Sequence, residues 1–169
     1  HGVVDALLVG ANDGAKVMVN VAIMLVAIIA VVALVNKALG LLPLETPLSL
    51  ERMFGWIMAP AMWLVGVPWA EARAAGELMA LKTVFNEFVA YVALANQPMA
   101  ALSFHSRLIT IYALCGFANF SSIGILAGTL TALCPEHKGT IASLGLKAMA
   151  AGTLATLLTG AVIGILLPP

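Results

Sequence analysis

The sequence predicts an all-α, polytopic membrane protein that contains a re-entrant helical hairpin and a broken transmembrane helix. The chain has 169 residues, of which 62% are hydrophobic and 9% charged, and its mean hydropathy is +1.07. A soluble domain carries about 25% charged residues. A small domain also has too much surface for a large core to explain this deficit. The bilayer is therefore the solvent for most of this chain.

Composition and motifs exclude several classes of function. Eight basic residues balance eight acidic ones, so the chain lacks the positive surface that a nucleic-acid partner requires. Cys115 and Cys134 lie in apolar stretches without the spacing of a metal or redox site. No HExxH, GxSxG, P-loop or GxGxxG motif occurs. We expect a protein that is not an enzyme and has no cofactor or metal centre. No signal peptide is visible. Because the sequence starts with His1 rather than Met, we also expect a fragment or a processed piece.

The first three segments are a connection, a span and an interfacial helix. We assign residues 1–16 to a connecting segment and 17–40 to a transmembrane helix, since Val17–Val35 carries one polar side chain. At 1.5 Å per residue that stretch nearly crosses a hydrocarbon core of about 30 Å. Residues 44–68 begin with a turn at 44–47 and continue as a helix capped by Ser49. The tryptophans of this helix favour a position at the membrane interface.

Residues 76–97 have the length of a span but contain Lys82, Asn86 and Glu87. A single lipid-facing helix would bury two charges, at roughly 2.5–3.5 kcal/mol each. Two half-helices that enter and leave by the same face would instead place Asn86 and Glu87 at a tip. Non-helical backbone at that depth is tolerated inside protein or beside water. We therefore predict a re-entrant hairpin.

The remaining segments are a broken span at 105–134 and a final transmembrane helix at 139–167. Gly116 allows the backbone of the broken span to bend between two apolar stretches. The final helix is rich in Ala, Gly, Ser and Thr, and such residues let neighbouring helices approach closely in lipid. Its candidates for a packed face are Ser143, Gly152, Thr156 and Gly160.

The hairpin tip carries the first candidate site residues. Glu87 can accept hydrogen bonds from two hydroxyl groups of a ligand, although an internal ion pair with Lys82 is an alternative. Asn86 is expected to cap the second half-helix and so to support the tip.

The broken span carries the second group of candidates. Asn119 and Ser122 stand at i and i+3, so an amide and a hydroxyl share one helical face. They either contact a ligand or form interhelical hydrogen bonds, and the pattern favours neither. Ser121 points away from that face as a supporting residue, and a backbone carbonyl is one available partner for its hydroxyl. Phe117 lies at the bend, where packing is the simpler role.

Secondary transporters bind substrate where hairpin tips and broken helices meet, usually between two inverted repeats. One such set is present here, so the predicted fold is one repeat of an inverted-repeat transporter. Two longer motifs make the resemblance specific: Asn86–Tyr91 (Asn-Glu-Phe-Val-Ala-Tyr) and Gly116–Ile125 (Gly-Phe-Ala-Asn-Phe-Ser-Ser-Ile-Gly-Ile). They resemble signatures of the concentrative nucleoside transporters. The resemblance covers essentially the whole chain and corresponds to the carboxyl-terminal half of the family's bacterial-type core.

The resemblance implies a cation-coupled nucleoside symporter, a homotrimer that spans the bacterial inner membrane several times. By similarity, Glu87, Asn119 and Ser122 would hold the ribose, and Phe117 would pack on the nucleoside. The family's first hairpin and the helix that follows it would bind the coupling cation, Na⁺ or H⁺, and would recognise most of the base. Those segments are absent from this chain. The competing hypotheses are a non-transporting receptor or assembly subunit with the same fold, and a membrane enzyme that uses Glu87 as an acid or base.

Overall fold

The computed structural model describes residues 2–43 and 48–167, and in these ranges the chain is helical, without strands. This confirms the all-α class. The predicted turn at 44–47, with which the interfacial segment begins, lies outside the described residues. Single 3₁₀ turns occur at Met99–Ala101 and Pro135–His137. The α-helices are α1 (Val3–Leu39), α2 (Leu50–Leu64), α3 (Trp69–Val84), α4 (Glu87–Asn96), α5 (Phe104–Leu114), α6 (Phe120–Leu133) and α7 (Lys138–Leu166).

Two stretches in the described part of the chain are helical, long and apolar enough to cross a membrane, Val3–Ile23 and Pro135–Leu166. The first belongs to α1, which begins at Val3, so that most of the segment assigned to a connection is helical. Asp5 lies in the first turn of α1 and Lys37 in the last, and both charges suit the helix dipole. No proline interrupts this stretch, so the helix continues through it.

Helices α2 and α3 form the most closely packed pair. A Cβ atom built on Gly76 would lie 2.5 Å from the carbonyl oxygen of Gly55 and 2.9 Å from the nitrogen of Ala59. Only glycine allows these two backbones to touch. The core around this contact consists of small and flexible apolar side chains, among them Ala59, Met62, Ala72, Ala75, Leu78 and Met79.

Helix α3 begins at Trp69, seven residues before the predicted hairpin, because the charges there have partners. Glu71 accepts hydrogen bonds from the backbone and hydroxyl of Ser103. Arg73 pairs with Glu77 and lies over the ring of Trp56. The charged residues at the start of α3, which in the sequence alone indicate a solvent-exposed segment, are thus compatible with a helix packed on α2.

Helix α7 lies against α5 through its small residues. A Cβ on Gly160 would lie 3.0 Å from the carbonyl oxygen of Ile109, and one on Gly152 would lie 3.0 Å from the Cβ of Ala118. Thr156 is buried on the same face. The prediction of a packed face is therefore confirmed for these three positions. It is wrong for Ser143, which is exposed and bonds the carbonyl of Thr140 in its own helix.

Candidate functional site

The starts of α4 and α6 form the candidate site, and an asparagine caps each of them. The Oδ1 atom of Asn86 accepts from the backbone N–H of Val89 at 2.9 Å, as the sequence predicts. The Oδ1 atom of Asn119 accepts from the backbone N–H of Ser122 at 2.7 Å. Both caps have extended backbone, which turns the chain into the helix that follows. Each helix thus restarts at a fixed polar residue.

The predicted pair Asn119 and Ser122 forms a capping box. The hydroxyl of Ser122 accepts from the backbone N–H of Asn119 at 3.1 Å and donates to its carbonyl at 2.7 Å. Both side chains are buried. These bonds use the Oδ1 of Asn119 and the only proton of the Ser122 hydroxyl. The amide N–H groups of Asn119 are therefore the donors that this pair can direct outward.

Glu87 accepts a hydrogen bond from one of these amide N–H groups. The Nδ2 of Asn119 lies 3.3 Å from the Oε2 of Glu87, and this contact joins the segment between α3 and α4 to the segment between α5 and α6. Glu87 occupies the first turn of α4, where the helix dipole stabilises a carboxylate. A carboxylate offers about four lone-pair positions. Most of its accepting capacity is thus left for hydroxyl groups of a ligand.

Lys82 does not form the ion pair that the sequence allows with Glu87. Its ammonium donates instead to the carbonyl of Ala113 at 3.1 Å and to the hydroxyl of Thr156 at 2.7 Å. Lys82 lies on α3 and Glu87 on α4, and the helix is interrupted between them at Phe85 and Asn86. The side chains of the two residues consequently follow different helix axes.

Phe117 lies in the break, and 57% of its surface is exposed. With Ala118 and Ser122 it forms one end of an apolar groove of about 470 Å³ between α6 and α7. Glu87 and Asn119 do not line this groove. The exposed aromatic ring therefore contributes to the apolar surface of this groove.

Ser121 differs from the prediction. It is 4% exposed, and within the described structure its hydroxyl has no hydrogen-bond partner. A helical serine usually bonds the carbonyl four residues earlier, which here belongs to Phe117. Phe117 precedes the cap and lies outside the helix, so that carbonyl is not aligned along the helix axis.

Two contacts near the site were missed by sequence reasoning. One is the bond from Lys82 to Thr156, and the other is the phenol of Tyr91, which donates to the carbonyl of Ile111 at 2.9 Å. Both join segments that are distant in sequence. The available signal was that a polar side chain within an apolar helix must find a partner. That rule does not identify the partner.

Comparison with known proteins gives consistent matches. The family described as the carboxyl terminus of Na⁺-dependent nucleoside transporters matches residues 1–164. The uncharacterized transporter YutK of Bacillus subtilis is 45% identical over 96% of this chain and 41% of its own length. The nucleoside permease NupC of Helicobacter pylori is 36% identical over 96% and 40%. Sodium/nucleoside cotransporter 1 of Rattus norvegicus is 36% identical over 100% and 29%.

Solved structures match equally well. The structure of CNTnw in an inward-facing substrate-bound state is 37% identical, with a TM-score of 0.84, over 97% of this chain and 41% of that one. A CNTnw variant in its third intermediate state gives a TM-score of 0.89 at 37% identity. The chain thus spans about two fifths of the length of the bacterial relatives and solved structures named here.

Proposed function

The chain belongs to the Na⁺-dependent nucleoside transporter family, and on that premise we propose that it is the carboxyl-terminal half of a cation-coupled nucleoside symporter. In this proposal it contributes the ribose-binding side of the substrate site. The observation that carries the proposal is the contact between Glu87 and Asn119. It brings a carboxylate and an amide together where two helices begin.

Ribose is a suitable ligand for this arrangement because its 2′- and 3′-hydroxyls are neighbouring donors. Glu87 accepts from them, and hydrogen bonds to an ionised group are roughly twice as strong as neutral ones. Asn119 supplies amide donors to the ribose oxygens, and Ser122 holds Asn119 in place and borders the sugar. Asn86 supports the site by fixing the start of α4, on which Glu87 lies. Ser121 supports the start of α6 from a buried position.

Phe117 packs on the nucleoside in the same proposal. Its ring is more than half exposed and lies beside Ser122 at the end of an apolar groove. A nucleoside has a polar sugar and a flatter, less polar base. An aromatic surface next to a polar pair therefore suits both parts of one ligand.

Helix lengths support the proposed arrangement in the membrane. Helix α4 has 10 residues, α5 has 11 and α6 has 14. At 1.5 Å per residue each covers roughly half to two thirds of a 30 Å core. We therefore assign α3 and α4 to a re-entrant hairpin, and α5 with α6 to a broken span. Helices α1 and α7 cross the membrane, α2 lies at the interface, and an inverted repeat outside this chain completes the site.

The coupling cation and the assembly follow from the family rather than from this chain. By resemblance to the family, we assign the site for Na⁺ or H⁺ and most of the base recognition to the other half. The complete transporter, meaning this chain with that half, is proposed to be a homotrimer of the bacterial inner membrane. The relatives named above are transporters, so a receptor or assembly subunit is not favoured.

Counterflow of labelled uridine tests this function. The complete transporter is reconstituted in liposomes preloaded with unlabelled uridine, and uptake of external label is followed over time. Transport predicts a transient accumulation of label, and a cation gradient should drive net uptake in liposomes without preloading. Saturable uridine binding without counterflow would instead identify a receptor. Absence of binding would contradict the proposed substrate.

A further inference from the structure

Lys82 is a buried cation that the ribose site does not use. Its side chain is on α3 and has no exposed surface. The ammonium donates to the carbonyl of Ala113 near the end of α5 and to the hydroxyl of Thr156 on α7. One charged group therefore links three helices. A charge that is removed from water in this way is costly unless its partners are well placed.

The partners of Lys82 are suited to a cation. The last carbonyls of a helix have no partner within it, and that end of the helix carries a partial negative charge. Ala113 is the penultimate residue of α5, so its carbonyl lies at that end. The hydroxyl of Thr156 donates to Thr153 at 2.9 Å and is thus oriented to accept from Lys82.

The same contact fixes the backbone that leads to Phe117. Gly116 lies two residues after the end of α5, next to the capping residue Cys115. A Cβ on Gly116 would lie 2.3 Å from the Cγ2 of Thr156 and 4.0 Å from the Nζ of Lys82. The break thus starts against Lys82 and Thr156, and movement of either would displace the residues that follow Gly116.

We propose that Lys82 is a positioning residue for nucleoside binding, whose ammonium holds the start of the α5–α6 break against α3 and α7. Through this contact it sets the positions of Phe117 and Asn119 relative to Glu87. The inference rests on the proposed function in so far as the ligand is a nucleoside. A packing role alone would require only the volume of the side chain, whereas this role requires the charge and its bond to Thr156.

Substitutions in the complete transporter separate charge from volume. Lys82→Met keeps the approximate volume and removes the charge, whereas Lys82→Arg keeps the charge and adds volume. We expect Lys82→Met to weaken uridine binding roughly tenfold or more, and Lys82→Arg to retain more affinity. Lys147→Met, at an exposed position on α7, is the control and should bind as the wild type does. Wild-type affinity in Lys82→Met, or a better result for Met than for Arg, would overturn the proposal.

A double-mutant cycle tests whether Lys82 acts through Thr156. Thr156→Val removes the hydroxyl and keeps the shape, and it should weaken uridine binding in the same direction. The combination of Lys82→Met with Thr156→Val should be scarcely weaker than Lys82→Met alone, because both changes remove the same bond. Fully additive losses would show that the two residues act separately and would contradict the proposal.

A measurement without nucleoside distinguishes failure of this inference from failure of the proposed function. Amide hydrogen exchange reports local opening of the backbone. The backbone amides of residues 113–122 should exchange faster in Lys82→Met and in Thr156→Val than in the wild type. Their exchange rate should be unchanged in Lys147→Met. Unchanged exchange in both variants would overturn the positioning role. If the wild type fails to bind uridine, the proposed function fails, but hydrogen exchange still decides whether Lys82 holds the break.

Discussion

The carboxylate of Glu87 and the side-chain amide of Asn119 lie 3.3 Å apart, although 32 residues separate them in the chain. Each residue stands at the start of a helix that follows an interruption in an apolar segment. The contact therefore joins the two interruptions into one polar site. Substitutions in the complete transporter can separate the roles of the residues in this site.

Asn119→Asp separates the capping role of this residue from its role as a donor. Aspartate caps helices about as well as asparagine does, so α6 should form, but the thermal midpoint should fall because position 119 is buried beside Glu87. The new carboxylate cannot donate to Glu87 and repels it instead. Uridine affinity, measured by isothermal calorimetry, should fall roughly tenfold or more. Asn96→Asp, at the exposed end of α4, is the matched control. Wild-type affinity in Asn119→Asp would exclude the amide from the site.

Ser122→Ala tests whether Asn119 and Ser122 contact the sugar or the base of the nucleoside. The substitution removes the hydroxyl that holds the backbone of Asn119 on both sides. If this pair contacts ribose, affinities for uridine, cytidine and adenosine should all fall by similar factors in competition assays. A change in the order of preference between purine and pyrimidine nucleosides would show that the position reads the base.

Phe117→Ala should weaken the binding of nucleosides that have aromatic bases. Its ring is 57% exposed, so removing it should cost little stability. Uridine affinity should fall by roughly 2- to 12-fold, the range of a single aromatic contact. 5,6-Dihydrouridine, whose base is not aromatic, should be affected less. Phe104→Ala provides the control, because that side chain is 79% exposed at the start of α5. Equal effects on the two ligands would argue against a contact between ring and base.

Gly116→Ala should destabilise the break, and a second substitution should relieve the damage. The new methyl group would lie 2.3 Å from the Cγ2 of Thr156, and overpacking of this kind costs about 1–3 kcal/mol. Thr156→Ser removes that methyl group and keeps the hydroxyl that Lys82 uses. The thermal midpoint and uridine affinity should both fall in Gly116→Ala and recover in the double variant. Gly128→Ala, with no atom within 4 Å of the added Cβ, should be neutral. If Thr156→Ser did not restore the thermal midpoint and uridine affinity of Gly116→Ala, the overpacking would not lie between residues 116 and 156.

Local features were predictable from the sequence because they depend on neighbouring residues. Polar residues within apolar stretches indicated both interruptions, and Asn86 was recognised as a cap from its position before a helical pattern. Small residues correctly indicated the packed face of α7 at Gly152, Thr156 and Gly160. The start of α1 was less predictable, because its apolar and small residues suit a helix as well as a connection.

Contacts between distant segments were not predictable. The bond from Lys82 to Thr156 spans 74 residues, and periodicity places a residue on a face without identifying the helix that the face contacts. A separation of five residues made an ion pair between Lys82 and Glu87 reasonable, but the helix is interrupted between them and the ammonium bonds Ala113 and Thr156 instead. Ser121 was misjudged for a related reason, since the carbonyl that it would bond lies before the helix begins.

Binding of uridine and of 2′,3′-dideoxyuridine to the wild type and to Glu87→Gln tests directly whether Glu87 accepts hydrogen bonds from the ribose hydroxyls. Glutamine keeps the shape of the side chain and removes the charge that strengthens hydrogen bonds from the ribose hydroxyls. Glu136→Gln, in the exposed turn before α7, is the control for loss of a carboxylate. The account predicts that Glu87→Gln binds uridine roughly tenfold or more weakly and binds the dideoxy compound with nearly unchanged affinity. Wild-type uridine affinity in Glu87→Gln, or an equal loss for both ligands, would contradict a ribose-binding role for Glu87.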